Sequence, residues 1–154
     1  METLIEKNYK VLIAGQTWEF DEIKFSRDAE GRSRLPLEET VKINRSVANS
    51  ICSTDAPLSG EEFEFLCRLS RTSYAETAKR LKTDPSTPTK WIAKGAVPPL
   101  ESEVIKIYLW NKIFADLLVA EDDRAPRAEG AEALAKMGSK AIEKKWADSP
   151  KRAA

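Results

Sequence analysis

Between Cys67 and Gly95 the chain carries seven basic side chains, Arg68, Arg71, Lys79, Arg80, Lys82, Lys90 and Lys94, against two acidic ones, Glu76 and Asp84. Over all 154 residues Lys+Arg and Asp+Glu both total 25, so the excess is local. A basic face on an otherwise neutral chain suits contact with phosphate groups. The plainer account is a solvated helix surface, because such surfaces are routinely rich in lysine. Other chemistry is poorly provided for. With no His, general acid–base work would fall to carboxylates, and no pair stands out at a useful spacing. Cys67 follows Leu66 on the inward side of a helical pattern and reads as packed, not nucleophilic. No glycine loop able to cradle phosphates is present. Cys52 and Cys67, without histidine, cannot complete a four-ligand zinc site. No catalytic residue, metal ligand or cofactor is expected.

The elements that must position this basic face run from Leu58 to Gly95. Three short helices follow in close succession. Ser59 can cap the first, with Glu62 three positions on as in a capping box, and Phe63, Leu66 and Leu69 turn inward. Ser73 and Glu76 repeat the signal for the second, whose inner face is Ala75, Ala78 and Leu81. Asp84-Pro85 offers a carboxylate cap and a first-turn proline for the third, anchored by Trp91. The two turns fall where a helix-turn-helix needs them, and that unit presents one helix end to a groove of duplex DNA.

This pattern resembles the Xre/Cro-type helix-turn-helix family. The LSGEEFEFL start, with the helix and strands before it, is similar to antitoxins of the MqsA and HigA type. The motif covers about a quarter of the chain, and the wider similarity runs from roughly Tyr9 to Phe114. The resemblance implies a dimeric bacterial regulator that binds a palindromic double-stranded operator, often that of its own operon, and neutralises a cognate toxin. It implies that Asp84 caps the recognition helix and that Pro85, Ser86 and Lys90 face the bases. Thr87 and Thr89 then meet phosphate, and Ser73, Tyr74, Lys79 and Lys94 complete the DNA-binding set. Lys90 has the chemistry to donate to guanine O6 or N7.

Several positions depart from the family pattern. Tyr74 stands where a glutamine commonly touches phosphate, and a phenol still donates one hydrogen bond. Thr77 replaces a large apolar residue, which is expected to weaken packing. Pro88 removes a backbone donor near the start of the third helix. That helix is therefore expected to start late, with Thr87 as cap, leaving Ser86 outside it. A buried Arg–Glu ion pair that often joins the first and third helices is replaced by Cys67 and Ile92. Exchanging a whole buried pair for apolar groups is neutral or stabilising, whereas losing one partner is costly. The zinc-binding CxxC motifs of MqsA-like antitoxins are not found in this sequence, whose cysteines are Cys52 and Cys67.

The rest of the chain frames this motif. Tyr9–Gly15 and Thr17–Phe25 are strand-like, and the alternation in the second slips after Phe20, suggesting a bulge. A polar linker, Ser26–Arg34, leads to a helix from Leu37 to Cys52 that buries Val41, Val47, Ala48 and Ile51. After Pro98-Pro99 a very apolar helix runs from Leu100 to about Ala120, with a narrow solvated stripe at Ser102, Lys106, Lys112 and Asp116. Apolar residues on more than one side make it the expected dimer helix, through Ile105, Tyr108, Leu109, Lys112 and Ile113. The alternative is a core helix. From Glu121 the composition turns to Ala, Lys, Glu and Gly, with a thin stripe of Leu134, Ala141, Ile142 and Trp146. Trp146 could anchor an interaction there.

The expected fold is mostly α. A five-helix, lambda-repressor-like helix-turn-helix domain over 37–120 follows a small β-rich region over 1–36, and a mobile, partly helical tail spans 121–154. No apolar run approaches the roughly 18 residues of a membrane span, and METLIEKNYK lacks a signal-peptide pattern. Two thiols fit a reducing cytosol. The expectation is a cytoplasmic protein, nucleoid-associated when bound to DNA. The competing expectation is a protein-binding module, toxin-neutralising or scaffolding, that keeps the fold and has lost DNA recognition.

Overall fold

A computed structural model describes residues 2–115 and 151–152. Its elements are β1 (Glu2–Ile13), β2 (Gln16–Arg27), β3 (Ser33–Arg34), α1 (Leu37–Cys52), α2 (Gly60–Leu69), α3 (Tyr74–Leu81), α4 (Thr87–Lys94), α5 (Pro99–Ile113) and β4 (Lys151–Arg152). Five helices beside a small antiparallel sheet make the described chain mostly α, as expected. The expectations for the segment after Ala115, Asp116 and Trp146 included, lie outside the described residues apart from β4.

β1 and β2 form a hairpin joined by Ala14 (φ 54) and Gly15 (φ 75). Two consecutive left-handed residues match the right-handed twist of the strands, and glycine adopts that conformation without steric cost. Lys7 opposes Glu22 and Lys10 opposes Glu19, so opposite charges pair across the ladder. The strands are longer than the sequence pattern implied. In place of a one-sided bulge, the register continues unchanged on both sides of a gap opposite Asp21, where Asn8 takes φ 54. Each strand therefore carries one extra residue, and the inward phase shifts in both together. That shift lets Trp18, Phe20 and Ile23 all reach the interior. Trp18 Nε1 donates to the Ile13 carbonyl oxygen at 3.0 Å. β3 and β4 both pair with the far edge of β2.

The hairpin and the helices share one core. Trp18, Phe20 and Ile23 join Val47, Ala48 and Ile51 of α1, Phe63 and Leu66 of α2, Trp91 of α4, and Ile105 and Leu109 of α5. On α1 the inward position is Ile43, not Val41, which is 40% exposed. At α2 the expected capping box is complete: Ser59 Oγ accepts the Glu62 N–H at 3.1 Å, and Glu62 Oε1 accepts the Ser59 N–H at 2.9 Å.

α5 departs most from its sequence reading. Ile105, Leu109 and Ile113 are buried inside the same chain, so they cannot form a dimer surface in this fold. Of the five expected contact residues, only half-buried Tyr108 and exposed Lys112 reach the surface. The expected solvated stripe is also partly interior, because Ser102 and Lys106 are buried. Ser102 Oγ accepts the Leu58 N–H at 3.0 Å and donates to the Val97 carbonyl at 3.2 Å. Lys106 Nζ donates to the carbonyls of Thr54 and Ala56, both at 2.6 Å. The loop between α1 and α2 lacks a regular backbone ladder, and these polar side chains supply its partners.

Candidate nucleic-acid interface

α3 begins at a serine cap. Ser73 Oγ accepts the Glu76 N–H at 3.1 Å. The reciprocal half of the expected second capping box is missing. Glu76 Oε1 instead accepts from Ser73 Oγ at 3.3 Å, while Oε2 accepts from Lys112 Nζ at 3.4 Å. Tyr74 stacks on Phe63 with ring centroids 5.8 Å apart, and burial, followed by the nearby Glu64 carboxylate, raises its pKa. Its phenol therefore stays protonated at neutral pH and keeps its one donor. Thr77 is fully buried and satisfied. Its hydroxyl donates to the Ser73 carbonyl at 3.1 Å and lies 3.9 Å from Cys67 Sγ. Thr77 thus packs directly against the buried Cys67 of α2.

The turn into α4 is built by side chains as much as by backbone. α3 ends with Lys82 in the left-handed region, φ 56 and ψ 41, and the Thr83 N–H returns to the Ala78 carbonyl at 2.9 Å. Asp84 Oδ1 then accepts the Ser86 N–H at 2.8 Å and the Ser86 hydroxyl at 2.5 Å. This is the local turn that Asp forms readily. Those two bonds hold the Asp84 carboxyl below its ordinary pKa. The expected role of Asp84 as helix cap is thereby corrected: it orders the turn, and Ser86 occupies the cap position with its side chain committed to Asp84.

α4 starts at Thr87, so Thr87 is its first residue and not its cap. Ser86 does lie outside the helix, as the late start required. Pro88 sits at the second helical position, where its missing N–H has no intrahelical acceptor to lose. It is buried, as is Trp91, which meets the Phe63 ring edge-on at a centroid distance of 5.9 Å. These two residues fix which side of α4 faces in. Thr89, Lys90 and Lys94 are exposed on the helix, with Pro85 and Ser86 exposed in the turn before it and Thr87 half-buried. On the neighbouring α3, Ser73 and Lys79 are exposed.

The sequence-derived set thus falls on the start and the last turn of α3, the turn that follows and the outer side of α4. Among the described residues, Arg71, Lys79, Lys82, Lys90 and Lys94 form no ion pair. Arg68 is engaged by Glu64 at 3.3 Å, and the Arg80 guanidinium lies 5.4 Å from the centre of the Tyr108 ring. Comparison with protein-family models, curated proteins and solved structures gives no match.

Burial pushes the Cys52 thiol up to about 12 and the Cys67 thiol up to about 11, so neither is a thiolate at neutral pH. A concavity of about 690 Å³ lies between the hairpin turn and α2, lined by Leu12, Gly15, Glu61, Phe65, Arg68 and Arg71. No α4 residue contributes to its lining. No described helix is long and apolar enough to cross a membrane.

Proposed function

We propose that the protein is a sequence-specific, double-stranded-DNA-binding transcriptional regulator that works as a dimer on a palindromic operator. In this reading α3 and α4 form a helix-turn-helix, with α4 entering the major groove. The observation that carries it is the outer side of α4. Lys90 and Thr89 are exposed next to the turn that Asp84 orders, and Lys79, Lys82, Lys90 and Lys94 form no ion pair among the described residues, although the Asp84 carboxylate lies within electrostatic reach of Lys90. Lys90 donates to guanine edges, while Lys79, Lys82 and Lys94 meet phosphates. Ser73 is occupied in capping, so at the start of α3 the helix N–H groups and the Tyr74 phenol face the backbone phosphate. The Ser86 hydroxyl is donated to Asp84 and serves DNA only as an acceptor.

The likeness to MqsA- and HigA-type antitoxins supports a more specific form of the proposal. The protein then represses its own operon in the bacterial cytoplasm and neutralises a toxin encoded beside it. A second reading is a protein-binding module on the same fold. It is favoured by the composition of α4, which has no Arg, Asn or Gln among Thr87–Lys94 to supplement Lys90. Titrating duplex DNA from upstream of the protein's own reading frame, across a range of salt concentrations, separates the two. Steep salt dependence supports the regulator, and absence of binding at low salt supports the module.

A further inference from the structure

The far edge of β2 is covered at both ends by very short strands. At one end β3 sets Arg34 opposite Ser26 and Ser33 opposite Arg27. At the other, β4 sets Arg152 opposite Trp18 and Lys151 opposite Glu19, antiparallel to β2. Among the described residues no strand pairs with that edge between Glu19 and Ser26. β3 follows β2 directly in the chain and is a local return. β4 comes from the far end of the sequence, with the thirty-five residues 116–150 before it. A stretch of that length reaches about 115 Å at full extension, several times the width of a domain of this size, so the return is sterically free. The brevity of β4 has a cause in the sequence. Pro150 directly precedes Lys151 and has no N–H to donate to a ladder.

We infer that the edge of β2 at Trp18–Glu19 is a strand-addition site held closed in cis by the chain's own C-terminal end, through Lys151–Arg152. An open edge there would offer unpaired backbone N–H and C=O groups to a strand of another molecule. β4 occupies those groups, so an extended segment from elsewhere reaches this edge only by displacing it. The register suits the cover. Lys10, Glu19 and Lys151 fall in one row across three strands, basic, acidic, basic. The cover is also reversible by construction. Two residue pairs make too few hydrogen bonds to hold a free peptide against its loss of translational freedom, and the tether to α5 is what keeps the segment near. The hairpin beneath does not depend on it. β1 and β2 pair along nearly their whole length, and Trp18 is buried with its indole N–H donated to the Ile13 carbonyl. β4 therefore leaves by a local opening that spares the core. This device is separate from the α3–α4 surface, and its test involves no DNA.

In the full chain, Glu19→Cys combined with Lys151→Cys is expected to form a disulfide within one molecule on mild oxidation. Directly opposed residues on antiparallel strands lie within disulfide reach. Lys10→Cys combined with Lys151→Cys, one strand farther away, is expected not to. Burial keeps the native Cys52 and Cys67 as thiols, and peptide mapping identifies the bond formed. A chain ending at Ser149 should keep its helix content by circular dichroism. In it, one of the two backbone amides of Trp18–Glu19 should exchange with solvent roughly fivefold faster than in the full chain, read by NMR, while Val47 and Leu66 exchange as before. No disulfide in the opposed pair, a disulfide that forms only between molecules, or equal cross-linking of both pairs each overturns the cis cover. So does exchange at Trp18–Glu19 that truncation leaves unchanged.

Discussion

A methyl group built on Gly60 would lie 2.9 Å from the Ile92 carbonyl oxygen and 3.0 Å from the Ile92 Cα. The first turn of α2 therefore runs directly against the backbone near the end of α4. Gly95 Cα follows at 3.2 Å. Because these neighbours are backbone and not flexible side-chain ends, they cannot yield without moving α4. A glycine more than thirty residues away in sequence thus sets where the proposed recognition helix stands.

Gly60→Ala is expected to destabilise the protein by about 1–3 kcal/mol, the usual cost of overpacking, despite alanine's better helix propensity. Denaturant unfolding checks this. A midpoint equal to that of the wild type would mean the contact relaxes at no cost.

Cys67 and Thr77 form the second inter-helix contact of consequence. The thiol is buried, and the threonine hydroxyl beside it is already satisfied by the Ser73 carbonyl. Cys67→Arg would bring a guanidinium into this space without a carboxylate to meet it. A loss of roughly 3–5 kcal/mol is expected, as for an unpaired buried charge. A thermal melt unchanged from wild type would contradict it.

Asp84 gives the turn a defined pH dependence. Its folded pKa is lowered by the two bonds from Ser86, so its stabilisation is complete above the ordinary carboxylate range and is lost as pH falls through the lowered value. Ser86→Ala removes the side-chain bond, the larger cause, and is expected to return the Asp84 pKa toward its ordinary value. Carboxyl chemical shifts followed from pH 7 to pH 2 test this. The same Asp84 titration in both proteins would refute it.

Lys106 illustrates how a charged residue can be structural. Lys106→Met keeps most of the stem but leaves the carbonyls of Thr54 and Ala56 without their donor, and a loss of about 1–3 kcal/mol is expected. Lys112→Met, on the exposed side of the same helix, should change stability by much less, because its bond to Glu76 is a surface one. Equal effects of the two substitutions would show that Lys106 is not the clamp described.

What the sequence made legible was local. The Ser59–Glu62 box, the serine before α3, the run of Trp18 and Phe20 in β2, and the late start of α4 all follow from neighbouring residues acting on one another. α5 was misread because it is apolar nearly all round, so periodicity alone cannot say which side meets its own chain. Ser102 and Lys106 looked solvated by type, but Leu58, Thr54 and Ala56, to which they bond, lie in a loop more than forty residues away. Likewise Val41 and Ile43 are separated by only two positions on α1, and tertiary contact, not pattern, decides which is buried. For the candidate interface, the exposed positions on α4 were readable because Trp91 fixes the opposite side. The diversion of Asp84 from cap to turn was not, since either role suits an aspartate before a proline.

The most direct test is fluorescence anisotropy of labelled duplex from upstream of the protein's own reading frame, titrated with wild-type and Lys90→Ala protein at several salt concentrations. The wild type is expected to bind with affinity falling steeply as salt rises. Lys90→Ala should lose roughly 1–3 kcal/mol on that duplex and discriminate less between it and an unrelated one. If the wild type binds no duplex at low salt, or if Lys90→Ala binds as the wild type does, α4 is not a DNA-reading helix.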